Sequence, residues 1–174
     1  MRLIKLAILS FVFLFLIITG ISLFFPSRIR ISKAINIRAT RDSILAPIRA
    51  VSRWKSWYPG LDTAQLLWVE GATRGVILNN SDTSHPTYII VTNETFDEVN
   101  AKLITNKLRP IIVGWRTITY PQTDSITLQW YMDFNLRWYP WEKFGSLLFE
   151  HSYGTKMERG LYNLKNIIQR KDGN

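Results

Sequence analysis

Residues 6–25, LAILSFVFLFLIITGISLFF, form an apolar run without a charge, preceded by Arg2 and Lys5 and closed by Pro26. As a helix rising about 1.5 Å per residue, the run spans roughly 30 Å, the thickness of a bilayer's hydrocarbon. Beyond Pro26 the pattern changes to period two. Ile29, Ile31, Lys33, Ile35 and Ile37 alternate with Arg30, Ser32, Ala34 and Asn36, which predicts a first strand with one mainly apolar face. Thr40, followed by Arg41-Asp42-Ser43 and then Ile44, Leu45, Ile48 and Val51, predicts a capped amphipathic helix. Pro47 interrupts it, and Trp54-Lys55-Ser56-Trp57-Tyr58-Pro59-Gly60 follows, so two short helices or one broken helix are expected.

Strand-like segments come next, at about 65–69, 75–78, 87–95, 99–106 and 111–120. Asn79-Asn80-Ser81-Asp82 and Pro121-Gln122-Thr123-Asp124 are the clearest turns between them. The last strand has the strongest alternation. Ile126, Leu128, Trp130, Met132, Phe134 and Leu136 share one face, while Thr127, Gln129, Tyr131, Asp133 and Asn135 share the other. An apolar sheet face requires a cover. Residues 147–169 provide one, because Phe149, Tyr153, Met157, Leu161, Leu164 and Ile168 recur at helical spacing. Gly154 and Gly160 let that helix approach a sheet closely. The expected fold is α+β, a curved antiparallel sheet wrapped around a long C-terminal helix, as one domain over 27–174 behind an N-terminal anchor over 1–26.

The anchor has a competing reading as a cleaved signal peptide, since Gly20 and Ser22 are small residues spaced like a processing site. Retention is favoured. Cleavage after Ser22 would leave apolar Leu23-Phe24-Phe25-Pro26 as the new terminus, and the run exceeds the usual 7–15 residues of a signal peptide. For topology, the basic residues Arg28, Arg30, Lys33, Arg38 and Arg41 after the run favour the cytoplasm by count. The delivery pattern of exported domains favours the outer, periplasmic side, which is the expectation adopted.

Composition removes several chemistries. The 174 residues contain no cysteine, so disulfides, thiolate zinc sites and thiol nucleophiles are excluded. His85 and His151 stand outside any ligand-spaced motif, and no metal or cofactor is expected. Net charge is +9, but the basic residues are scattered and no nucleic-acid module accompanies them, so no nucleic-acid partner is expected. No phosphate-binding loop, dinucleotide fingerprint or nucleophile elbow occurs. Glu150, His151 and Glu158 give a thin acid–base signal, read as an exposed helix face.

The candidate site residues are apolar or aromatic. Trp54, Trp57 and Tyr58 either form the wall of a pocket or pack the helix corner onto the sheet. Trp130, Met132 and Phe134 on the last strand face Tyr153, Met157 and Leu161 on the helix, where they line a cavity or fill a core. Arg116 stands in an otherwise neutral strand, where it holds a ligand carboxylate or pairs across strands with an acid. Residues 137–144, Arg-Trp-Tyr-Pro-Trp-Glu-Lys-Phe, suit either a membrane interface or a loop capping the core.

The strand–helix start with its Trp54-Lys55-Ser56-Trp57-Tyr58-Pro59 corner resembles the START-like, polyketide-cyclase superfamily. So do the strand 126–136, the Trp138-Tyr139-Pro140-Trp141 link and the closing pattern Tyr153-Gly154, Met157-Glu158, Gly160-Leu161 and Asn163-Leu164-Lys165, which is similar to membrane-anchored bacterial members. The resemblance covers roughly 25–168 and is concentrated at its two ends; 61–86 is shorter than the family pattern and has only Gly71 and Gly75. It implies a helix-grip fold whose sheet and helix enclose an apolar cavity for a lipid or other hydrophobic small molecule, with polyketide cyclisation in a few branches. Three functions are therefore in view: a membrane-anchored carrier, a cyclase- or aromatase-like enzyme, and a pocketless scaffold at the membrane surface.

Overall fold

The computed structural model describes residues 2–69, 71–78, 86–105 and 108–172, with side chains through residue 170; the expected turn at Asn79-Asn80-Ser81-Asp82, His85 and Asn106 lie outside them. The apolar run forms helix α1, Arg2–Ser22. It is long and apolar enough to cross a membrane, and none of its most hydrophobic window is buried. A signal sequence passes the same test of length and composition.

Strand β1 (Arg28–Ile37) follows directly, then α2 (Arg41–Arg49), a 3₁₀ turn at Val51–Arg53 and the one-turn helix α3 (Trp54–Trp57). The Thr40 hydroxyl caps α2 by accepting from the Ser43 N–H at 3.3 Å. Strands β2 (Gln65–Val69), β3 (Ala72–Leu78), β4 (Thr87–Glu94), β5 (Glu98–Ile104), β6 (Ile111–Thr119) and β7 (Ile126–Asn135) complete one antiparallel sheet. Its order is β1-β7-β6-β5-β4-β3-β2. The first strand thus pairs with the last, from Arg28 opposite Asn135 to Ile37 opposite Ile126.

The register defines two ends of the sheet. Arg28 and Asn135 lie at the end nearest α1. The pairings Ile112 with Asp133, Leu103 with Ile111, Tyr88 with Ile104, and Leu78 with Thr87 carry the same end across to β3. α2 lies at the far end, where Arg41 donates to Thr119 Oγ1 and Arg49 to the Thr95 carbonyl.

The C-terminal helix departs from the expected single element. Pro140–Gly145 forms a separate helix α4, with proline in its first turn, where no helix was expected. A 3₁₀ turn at Ser146–Leu148 and a π turn at Glu150–Gly154 precede regular helix α5, Thr155–Asp172. The three-and-four spacing of apolar residues runs through these turns unchanged, so periodicity does not mark where regular helix begins. Lys33, on the inner face of β1, ties the turn to the helix through 2.7 Å ion pairs to both Glu150 and Glu158. That clamp explains the two carboxylates flanking exposed His151.

Five aromatic rings fill the interior between α3 and the sheet. Trp54, Trp57, Tyr58, Trp115 and Trp130 contact one another with centroids 4.8–6.4 Å apart, mostly tilted or edge-to-face. Each such pair adds about 0.5–1.5 kcal/mol beyond the area it buries. α5 crosses the stack at Gly160, where a Cβ would stand 2.6 Å from the Trp130 six-membered ring and 3.0 Å from Pro59 Cδ. The Trp130 ring is fully buried, and the close contact falls on the ring itself rather than on a flexible side-chain end. Gly160→Ala should therefore lower stability by about 1–3 kcal/mol in urea unfolding, despite alanine's higher helix propensity. An unchanged or raised midpoint would contradict this packing.

Candidate functional site

A cavity of about 170 Å³ remains where the aromatic fill ends. Its walls come from Tyr58-Pro59-Gly60, from Leu78, Thr87, Ile89 and Leu103 on β3–β5, from Trp130 and Met132 on β7, and from Tyr153, Lys156 and Met157. By register, Leu78, Thr87, Leu103 and Met132 belong to the α1 end of the sheet. Gly60 turns the chain there with φ at 87°, a left-handed conformation that glycine adopts without strain. The chain can then leave α3 without obstructing the space beneath it.

Of the expected site residues, Tyr58, Trp130, Met132, Tyr153 and Met157 meet at this cavity. The others are placed elsewhere. Trp54 and Trp57 are spent on the corner itself: their indole N–H groups donate to the carbonyls of Ile48 (2.6 Å) and Pro47 (3.3 Å). Phe134 packs against Phe149 and Tyr153, at 4.7 and 5.0 Å between centroids, and Leu161 is buried on the inner face of α5. Arg116 lies on the outer face of the sheet, where it pairs with Glu98 at 3.0 Å, so the cross-strand alternative describes its place. The alternation of β6 puts Arg116 opposite Trp115, which enters the core.

Sequence reasoning missed Leu78, Thr87, Ile89 and Leu103. Their strands were recognised, but β-sheet curvature, which decides which central residues approach the helix, leaves no mark on a period-two pattern. Lys156 was missed as an exposed helix position, and it stands at the rim.

The lining is apolar with a few neutral polar groups. Burial pushes the phenols of Tyr58 and Tyr153 above the ordinary tyrosine range, so both stay protonated donors at neutral pH. The indole N–H of Trp130 is buried with no hydrogen-bond partner among the described residues. A donor left in that state costs about 1–3 kcal/mol unless something accepts from it. No carboxylate or imidazole belongs to the described lining. The site can therefore enclose an apolar group and donate to a ligand oxygen.

The charged chemistry sits on the opposite, outer face. Glu98 accepts from the Tyr131 hydroxyl at 2.5 Å as well as from Arg116, and Arg30 binds Asp133 through two contacts of 2.6 and 2.7 Å while covering the Tyr131 ring. Burial, with the bond to Glu98 adding to it, pushes the Tyr131 phenol up to about 12.

Solved structures repeat this architecture. The chain superposes on the di-domain aromatase/cyclase StfQ of the steffimycin biosynthetic pathway with a TM-score of 0.64 at 12% identity, over 84% of this chain and 52% of that one, so it spans about half of that protein's length. It superposes on the ZhuI aromatase/cyclase from Streptomyces with a TM-score of 0.62 at 12% identity, over 83% and 95% of the two chains. A START superfamily protein from Mycobacterium smegmatis gives 0.59 at 14% identity, over 81% and 97%. The fold is the START-like helix-grip fold. No protein-family model matches this helix-grip chain, and no curated protein matches its sequence.

The raised phenols set an alkaline limit. A tyrosine whose pKa is higher in the folded chain contributes fully below its unfolded value of about 10, and that contribution is lost as pH rises through the folded value. Stability should therefore fall between about pH 10 and pH 12, the latter being where Tyr131 ionises. Tyr131→Phe should lower stability by about 1–2 kcal/mol at pH 7 through loss of its bonds to Glu98 and Asn100. Tyr58→Phe, which removes no hydrogen bond among the described residues, should be near neutral at pH 7 and flatten the alkaline decline. Urea unfolding at pH 7 and pH 11 reads both, and an equal loss in the two variants at pH 7 would refute the assignment.

Proposed function

We propose that this chain is a membrane-anchored helix-grip domain that binds a hydrophobic small molecule or lipid by its apolar end. The observation that carries the reading is the cavity at the α1 end of the sheet, mostly apolar in its walls and with the Tyr58 and Tyr153 side chains among them. At about 170 Å³ it is smaller than the roughly 300–1,000 Å³ that encloses a drug-sized ligand. It is close to the void of about 150 Å³ that takes up benzene. A ring or the end of an acyl or isoprenoid chain fits that space, with the remainder of the ligand outside the mouth.

α1 anchors the domain in this reading, and β1 begins within a few residues of the helix, so the cavity end stays near the bilayer. The aromatase/cyclases among the structural neighbours supply a second candidate, but at 12% identity the likeness speaks to fold. The described lining holds no carboxylate or imidazole for acid–base work, which favours binding over catalysis.

Native mass spectrometry of the full chain released from lipid nanodiscs tests the proposal. Wild-type protein should carry an apolar adduct, Leu103→Trp should lose it by filling the cavity, and Arg116→Ala on the outer face should keep it. Circular dichroism of Leu103→Trp separates blocking from unfolding. A wild type without an adduct, or a folded Leu103→Trp that retains one, would defeat the reading.

A further inference from the structure

α4 is built inside out. Its charged Lys143 is buried and donates from Nζ to the Phe25 carbonyl at 2.9 Å and to Ser27 Oγ at 2.7 Å, just past the end of α1. The Phe144 ring meets Phe25 edge-on at 5.3 Å. Arg137 and Glu142 brace the start of the helix through a 2.8 Å backbone bond and a 3.5 Å ion pair. These contacts bolt α4 to the junction of α1 and β1.

The face turned outward is apolar. Trp138, Trp141, Phe144, Leu147 and Leu148 are all exposed, Trp141 to 63% and Leu148 to 66%. Beside them Phe24, at the foot of α1, is 91% exposed. A helix packed on a domain in water buries its apolar stripe and leaves lysine outside. Here the arrangement is reversed, and the reversal occurs where the membrane-length helix enters the domain.

We propose that α4 and the turn after it form an interfacial foot, whose outward face lies at the headgroup–acyl boundary of the bilayer that α1 spans. The proposal rests on the reading of α1 as the anchor. Trp and Tyr favour that layer, and an amphipathic segment there sinks its apolar face about 5–10 Å. Two fixed points, the span and the foot, set the tilt of the domain. They hold the sheet end that carries Leu78, Leu103 and Met132 toward the lipid, so a ligand drawn from the bilayer reaches the cavity without crossing water.

The chain has no cysteine, so single cysteines can be labelled without background. Full-length Leu14→Cys, Tyr120→Cys and Leu148→Cys, each carrying a nitroxide, would be reconstituted into phosphatidylcholine–phosphatidylglycerol vesicles. Collision with oxygen and with a water-soluble nickel chelate is then measured. The label at 14, within α1, should be deep, that at 120, just past the far end of β6, aqueous, and that at 148 in the shallow lipid phase. A label at 148 as open to nickel as that at 120, or shielded from both reagents as in a protein contact, overturns the foot while a deep label at 14 leaves the anchor standing. An aqueous label at 14 overturns the anchor and the foot with it.

Discussion

The meeting of Gly160 with the Trp130 ring sets the distance between α5 and the sheet, and most of the interior follows from that distance. Because no Cβ intervenes, the helix descends onto the indole and the five-ring stack closes beneath it. Trp54 and Trp57 are then fixed by their bonds to Ile48 and Pro47, which draws α2 and α3 onto the same stack. Toward the α1 end the helix opens into a π turn and the rings give way to the smaller side chains of Met132, Met157, Leu78 and Leu103. The cavity is what remains between a helix held close at one end and a sheet that continues to curve.

This arrangement reconciles the two readings of the facing apolar stripes. They form a filled core around Trp54, Trp57 and Trp115, and they line a space around Tyr58, Trp130, Met132, Tyr153 and Met157. Trp130 belongs to both, packed by its six-membered ring against α5 while it also forms part of the cavity wall.

Much of this was legible in the residues. Alternation in β1 and β7 is strong because one face of each is buried and the other wet, and strand and helix periods translate directly into faces. Lys33 shows the limit of that logic. It occupies an inward position on β1 and survives there because Glu150 and Glu158 reach it from the π turn and α5, partners too distant in sequence for any local pattern to pair. Arg116 shows another. Its strand left two places open, a ligand carboxylate or a cross-strand acid, and the pairing with Glu98 on the outer face takes the second. Residues 137–144 were marked for their aromatic and basic composition, but the helix Pro140–Gly145 within them was not expected, because its apolar residues point away from the domain and the rule that apolar faces mark the core gives the opposite answer.

The claim on which the account depends is that space persists between β7 and the first turns of α5. Xenon, which enters dry apolar voids, tests it without assuming a ligand. Crystals of the protein under xenon pressure should show the atom bound among Trp130, Met132, Tyr153 and Met157. Side chains closing that region with no xenon bound would contradict the account, whatever else the domain is found to touch.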